Sequence, residues 1–519
     1  VVRIIQTADL DPHVSLPRTT NDWVYNGLDC CVTLEICHTL LEQLDDTSRT
    51  IYERSLALQG PVLEMTLRGI KINEVERKQI LAHTVRDIMK LEANLYMILQ
   101  EGLGIDTKMK GPTKYWRSNK QLMHLFYTVL GLEPIKKRNA AGGFSPTVEE
   151  TALEKLSIHF YAEPICAHIL LLRDLDKQRQ LLETELDEDK HLRASWNIAG
   201  TNSGRFSCSE SAFGTGRNTQ NIDKRLRTMF IADDGMKLAN LDLKQADARN
   251  LGAICWELFV EKYGPEFAGK YLDYCESGDL HTKVCEMGWP TLPWTGNTAA
   301  DRAIADVIAH KGMSYRDLSK RLGHGTNYQG EVSVAQATKL AMSVILAFKK
   351  KYFAGFPCIE LWHDWVRRQL IDFGFITTLL GRRRFFYGRP RDANNIREAV
   401  AYGPQSMTAE QTHMGLVNLF RTNRVQLLLE GHDALIFQYP KDEEEEILPL
   451  AIAAMTIPLT LKQGREFVVP VDAKVGWNWG DKTSDNYHGL AKWKGAPDER
   501  TSPVYGKQPR LSFLRELER

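Results

Sequence analysis

Two aspartates in this chain fall where a pair of cation-binding carboxylates would be delivered by a sheet. Asp242 closes a short strand-like run, Lys237-Leu-Ala-Asn-Leu-Asp-Leu243, and a helical pattern follows from about Gln245. Asp433 lies in Gly431-His432-Asp433, between two strand-like runs, Val425 to Leu429 and Ala434 to Tyr439, so it sits at a hairpin turn. Phosphoryl transfer to a nucleotide uses two divalent cations about 3.5–4 Å apart, one on the attacking oxygen and one on the leaving group. Hard cations take carboxylate oxygens. Two aspartates from separate strand ends are the minimum a protein must supply. Either one alone reads as a turn residue or a helix cap.

A second set is spaced for a helix. Arg316, Lys320, His324 and Tyr328 stand four apart, which puts them on one slowly rotating helix face. Such a face offers two cations to a triphosphate and two rings to a base and sugar. The alternative is a plain amphipathic helix with a solvated basic edge. Gly323 and Gly325 flank His324, at about 1 kcal/mol each inside a helix, so a bent or mobile helix is expected.

In order and spacing, these residues belong to a longer series. Asp242-Leu-Lys-Gln245-Ala-Asp247-Ala-Arg249 resembles the D-x-S-Q-x-E-x-R motif of the family A (polymerase I-like) DNA polymerases, and His432-Asp433 resembles their last H-D motif. Thr201-Asn-Ser-Gly-Arg205, Asn218-Thr-Gln220-Asn221-Ile222 and Gly374-Phe-Ile-Thr-Thr-Leu-Leu-Gly-Arg382-Arg-Arg384 resemble T-x-x-G-R, N-x-Q-N-I and G-Y-x-x-T-x-x-G-R-R-R. The helix stripe is similar to R-x-x-x-K-x-x-x-[FY]-x-x-x-Y. The resemblance runs from about residue 60 to about 485.

It implies an α+β right-hand polymerase fold with an antiparallel palm sheet, helical fingers and a helical thumb. It also implies a DNA-directed DNA polymerase that extends a primer with deoxynucleoside triphosphates. Two Mg2+ ions, with Mn2+ as a substitute, would be held by Asp242, Asp433 and the Leu243 carbonyl. Arg316 and Lys320 would bind the triphosphate, with Lys320 also catalytic. His324 would pack on the nucleotide, Tyr328 would lie by the templating base, and Gln245 and Asp247 would line the nucleotide site. Arg205, Gln220, Asn221, Arg249, Gln405, His432 and Arg382 would contact primer–template DNA. Arg205 and Gln405 would read minor-groove acceptors that every correct pair presents.

The chain departs from the pattern at His324 (usually Phe or Tyr), Asp247 (usually Glu), Ala434 (often Glu) and Lys244 (usually Ser). Asp247 is expected to act as a sugar gate, or else as a cap on the helix N-terminus. The fold is shared with single-subunit RNA polymerases, against which the Gln245-x-Asp247-x-Arg249 context argues. A non-catalytic DNA-binding relative would have no need of Asp242, Asp433, Arg316 and Lys320 together.

The elements that must position these residues divide the chain. Residues 1–55 open irregularly and end in a helix from about Cys31 to Leu44. Tyr25-Asn-Gly-Leu-Asp29 resembles the Y-x-x-x-D motif of a 3′–5′ exonuclease, so this segment is read as the tail end of such a domain. No D-x-E occurs there, and proofreading by this chain alone is not expected. Residues 56–180 would form the thumb and lead into the palm, with an extended piece at Gly69 to Asn73 and a loop at Ala140 to Pro146. Residues 181–255 and 396–487 would form the palm, 256–395 the fingers and 488–519 a loosely held tail.

Composition is that of a globular chain, 43% hydrophobic and 25% charged, and 519 residues exceed one core. Charge balances at 66 basic and 66 acidic residues, so only its distribution bears on DNA. Basic clusters stand at Lys136 to Arg138, Lys224 to Arg227, Lys349 to Lys351 and Arg382 to Arg384, against an acidic run at Asp442 to Glu446. The nine cysteines show no zinc spacing, and no run is long enough to span a bilayer or act as a signal peptide. An intracellular setting is expected: cytoplasm, nucleoid or an organelle matrix. The motif G-x-x-x-x-G-K-[ST] is absent, against an ATP-driven motor.

Overall fold

The computed structural model describes residues 18–107, 113–139, 142–211, 214–277 and 279–495. The irregular opening, Ala140 and the far end of the polar tail lie outside these residues.

The described residues begin with a long helix, α1 (Arg18–Gln43), well ahead of the expected start near Cys31. Its side chains are mostly exposed, so no apolar stripe marks its first turns in the sequence. Helices α2 (Glu74–Met97) and α3 (Glu163–Leu182) then pack together around a core of their own, which includes Leu95, Leu99, Phe126, Ile165, Ile169 and Leu172. Asn73 starts α2 by accepting the Val75 and Glu76 N–H groups on its side chain. Of the loop expected at Ala140 to Pro146, Phe144–Pro146 is a strand paired with Lys136–Arg138.

The main core surrounds an antiparallel sheet. Its central strand β1 (Met236–Leu243) leads into α4 (Ala246–Tyr263), α5 (Leu280–Gly288), α6 (Tyr315–Tyr328) and the 29-residue α7 (Ala393–Arg421). The chain then returns as β2 (Gln426–Glu430), β3 (Ala434–Pro440), β4 (Val471–Gly476) and β5 (Ala491–Lys492). The sheet order is β2-β3-β1-β4-β5. Six successive residues of β3, Ala434 to Tyr439, are buried, as expected of a strand covered on both faces. Strand β5 overturns the expectation of a loose tail from residue 488: Leu490 and Trp493 are buried and carry the chain along β4. Among the described residues no single helix is long and apolar enough to cross a membrane; the pair Glu331–Thr338 and Met342–Gly355 passes only jointly and is bent by 117°.

Candidate active site

Asp242 and Asp433 meet at one end of the sheet. Strands β1 and β3 pair in continuous register from Ala434 opposite Asp242 to Pro440 opposite Met236. Asp433 directly precedes β3, and its carbonyl accepts the Leu243 N–H at 2.9 Å. His432 before it takes a left-handed backbone, φ 68°, which turns the hairpin tightly enough to aim Asp433 back over β1. Gln245 is left-handed too, φ 52°, at the turn from β1 into α4. That turn makes Gln245 the residue before the helix, and its side chain makes no cap bond.

Burial, then the charges of Asp433 and Asp472, push the Asp242 carboxyl up to about 7. Burial and Asp247 also raise Asp433, while Arg205 and Lys320 oppose them. Two adjoining carboxylates, each burdened by burial and by a neighbouring aspartate, are a donor pair suited to a divalent cation. Among the described residues no three acidic, histidine or cysteine side chains converge into a cage. The donor set is a strand-end pair.

The stripe of four is a single continuous helix. Ser314 caps α6 by accepting the Asp317 N–H at 3.1 Å, and Asp317 reaches back to the Ser314 N–H. The helix runs unbroken through both glycines. Gly325 is instead a packing contact: a Cβ there would meet Val334 Cγ2 at 2.3 Å, whereas one on Gly323 would find ordinary contacts at 3.6 Å. Lys320 is exposed and acts on the charge of both aspartates. His324 is open to solvent on one side and meets Tyr328 edge-on at 4.9 Å. Tyr328 is buried, and its hydroxyl donates to the Asp247 carbonyl at 3.1 Å.

Arg316 does not project freely. Its Nε and Nη2 donate to the two oxygens of Asp279 at 2.8 and 2.9 Å, and Arg302 donates to the same carboxylate at 3.0 Å. Burial works against this charge, but the two arginines and Thr282 hold the Asp279 carboxyl well below its usual range. His281 lies in the same cluster, and burial and Arg316 push it down to about 4. Sequence reasoning missed both. The one available signal was Asp279 ahead of a helical run, where it indeed caps α5.

Asp247 lies in the first turn of α4 but does not cap it. Its Oδ1 accepts from Thr408 Oγ1 at 2.7 Å, and Arg205 stands 3.7 Å away. The side chain is therefore held toward α7 and the carboxylate pair. Asn221 is exposed and lies 3.4 Å from His432 Nε2, and Gln405 is half-buried on α7 beside Pro404.

Three residues expected to contact DNA are engaged within the protein. Arg249 is 3% exposed, because α4 is enclosed by its neighbours and turns this residue inward. Gln220 is buried and donates to Glu430 at 2.8 Å, so it braces the strand before the hairpin. Arg382 is engaged by the buried Glu410, Nε donating at 2.6 Å. Glu430 was missed; burial pushes its carboxyl up to about 7, and its Oε1 lacks a partner, as do Arg205 Nε, Gln245 Oε1 and His432 Nδ1 around it. These orphaned polar atoms concentrate unsatisfied hydrogen-bonding capacity beside the carboxylate pair.

The sequence matches DNA polymerase family A over residues 89–481. It is similar to the thermostable DNA polymerase I of Thermus thermophilus, 23% identical over 495 residues covering 90% of this chain and 53% of the relative. The DNA polymerase I of Deinococcus radiodurans is 27% identical over 483 residues, 87% of this chain and 44% of the relative. The chain thus spans about half the length of the curated relatives it matches. In architecture it is similar to the POL domain of Pol1 from M. smegmatis, solved in complex with DNA primer-template and dNTP. The TM-score is 0.63 at 22% identity, over 82% of this chain and 70% of that one, a likeness of fold.

Proposed function

The chain belongs to DNA polymerase family A, and from that premise we propose that it is a template-directed DNA polymerase, extending a primer 3′ end with deoxynucleoside triphosphates. The observation that carries the proposal is the convergence of Asp242 and Asp433 at adjoining strand ends under the charge of Lys320. In the right-hand reading the sheet is the palm, the insert of about 256–395 the fingers, and the α2 and α3 body part of the thumb. The helix carrying Tyr25 and Asp29 is read as the end of an exonuclease-like domain.

Family A polymerases are generally metal-dependent, and the burden that burial and neighbouring aspartates place on Asp242 and Asp433 fits a cation pair. Asp242, Asp433 and the Leu243 carbonyl would hold Mg2+. Bound cations would activate the attacking 3′-oxygen and stabilise the pyrophosphate leaving group. The remaining work belongs to the chain. Lys320 supplies positive charge to the triphosphate from the same side as the carboxylates. Arg316 adds a second cation once the triphosphate shares or displaces Asp279. His324 and Tyr328 present ring surface to sugar and base. Asp247, fixed by Thr408, occupies the side of the pocket where a 2′-hydroxyl would fall. Arg205, Asn221, Gln405 and His432 line the approach of the primer–template. Such work places the protein where DNA is, inside a cell or organelle.

Single-nucleotide primer extension with Mg2+ tests the proposal. The templated deoxynucleotide should be added, and non-templated or ribonucleotide substrates should be added far more slowly. No extension with any metal, or extension regardless of template, would refute it.

A further inference from the structure

Strand β1 carries Asp242 between two neighbours. The register sets Ala434 of β3 opposite it on one side and Asp472 of β4 opposite it on the other. Residues directly opposite in an antiparallel sheet point to the same face, so Ala434, Asp242 and Asp472 form one rung. The ladder bonds set the spacing. Leu243 N–H donates to the Asp433 carbonyl, which makes Asp242 and Ala434 the closer, non-hydrogen-bonded pair, with Cα atoms about 4.5 Å apart. Lys244 N–H donates to the Pro470 carbonyl, which makes Asp242 and Asp472 a hydrogen-bonded pair, with Cα atoms about 5.5 Å apart.

Ala434 stands where a glutamate often follows the second aspartate in the family pattern, and it brings no charge to the rung. The other flank does. Asp472 is exposed and makes no ion pair with a described residue. Its charge bears on Asp242, after burial and Asp433. Like charges directly opposite one another destabilise a strand pair. The nearest basic residue on that face of β4, Lys474, faces Asn240 and is tied to Asp481 at 2.8 Å. Lys474 and Lys320 offset part of the burden on Asp242, and the rung itself carries two carboxylates beside the strand-end pair.

We infer that Asp472 is a charge-supplying neighbour of the cation site and not one of its ligands, bringing from β4 the negative charge that β3 lacks at Ala434. The inference rests on the polymerase reading and refines its metal site. Asp472 is a positioning residue. It acts through charge and bound water on cation occupancy, and it does not touch the reacting atoms.

The test compares wild type, Asp472→Asn, Asp472→Glu and the double variant Ala434→Glu/Asp472→Asn. Mn2+ binding is titrated by electron paramagnetic resonance without nucleotide, and the Mg2+ midpoint and kcat are measured in primer extension. Asp472→Asn should weaken Mn2+ binding about fivefold or more and raise the Mg2+ midpoint to match, the effect of one charge lost beside a divalent site. At saturating Mg2+, its kcat should return to within about threefold of wild type. Asp472→Glu should behave as wild type, and the double variant should regain most of the lost affinity. Should Ala434→Glu fail to fold, the contrast between Asp472→Asn and Asp472→Glu decides alone. Wild type that extends no primer would sink the polymerase reading. Wild type that extends, with Asp472→Asn unchanged in Mn2+ affinity and Mg2+ midpoint, would overturn only the role of Asp472.

Discussion

Asp242→Asn keeps the side-chain shape and removes its charge, so extension and stability should move in opposite directions. Loss of a metal-binding carboxylate should slow extension at least a thousandfold, about 4 kcal/mol of transition-state stabilisation. Stability follows from the proton. Burial, Asp433 and Asp472 raise the Asp242 carboxyl from 3.8 to about 7. Between about pH 4 and pH 7 the folded chain therefore holds a proton that the unfolded chain has released. Stability from this group falls as pH rises through that window and stays low above it. A full three-unit shift would be about 4 kcal/mol, and with the cleft open to water about 1–2 kcal/mol survives screening.

The Asn variant has no such proton to lose. In EDTA at pH 8 it should be more stable than wild type by about 1–2 kcal/mol, and the difference should vanish near pH 4. Saturating Mg2+ should narrow the gap by stabilising wild type alone. Thermal melts and denaturant titrations of both proteins, with EDTA or Mg2+, measure this beside primer extension. A variant less stable than wild type at pH 8 in EDTA, or extending within tenfold of it, would refute the reasoning.

Asp247→Ala should raise ribonucleotide relative to deoxynucleotide kcat/KM by about tenfold or more, about 1.4 kcal/mol, measured with one base in both sugars. An unchanged ratio would move the gate elsewhere, with His324 next. Arg316→Ala should raise the nucleotide KM about tenfold or more and also cost about 1–3 kcal/mol of stability, because Asp279 loses one of its two arginines and keeps Arg302. Steady-state kinetics and melting read the two effects separately. Gly325→Ala should destabilise by about 1–3 kcal/mol through its clash with Val334, whereas Gly323→Ala should be neutral or up to about 1 kcal/mol stabilising. Equal melting temperatures for the two variants would contradict the packing described for α6.

Where chemistry constrains residue type, much was legible in advance. A cation pair calls for carboxylates at strand ends, and Asp242 and Asp433, which the fold brings together at adjoining strands, lie at the ends of strand-like runs. The stripe Arg316, Lys320, His324 and Tyr328 was legible because four-residue spacing survives folding unchanged. Partners chosen by tertiary packing were not legible. Nothing near Arg316 in the chain announces Asp279, which arrives from the start of another helix. Arg249 and Gln220 sit in motifs that look ligand-facing, but α4, which carries Arg249, is buried around most of its circumference, and Gln220 turns to Glu430, 210 residues away in the chain. Asp472 acquires meaning only from register, and a slip of one residue would turn it to the other face. Strand β5 is too short, and its sequence too polar, to stand out from a tail.

The two strands that hold the aspartates adjoin in space but lie far apart in the chain. At about 5–20 residues per second of synthesis, roughly 10–40 s separate the appearance of Asp242 from that of Asp433. Through that interval β1 has both edges unpaired, with Leu238, Leu241 and Leu243 ready to pair with any passing strand. The helices made meanwhile are rich in local contacts and need not wait for the sheet. The cation site is therefore assembled late on the ribosome, after β3 emerges and, for the rung at Asp472, after β4. Until then the nascent protein carries an apolar strand with unpaired edges in the middle of the chain, a point at which a holding chaperone would have something to protect.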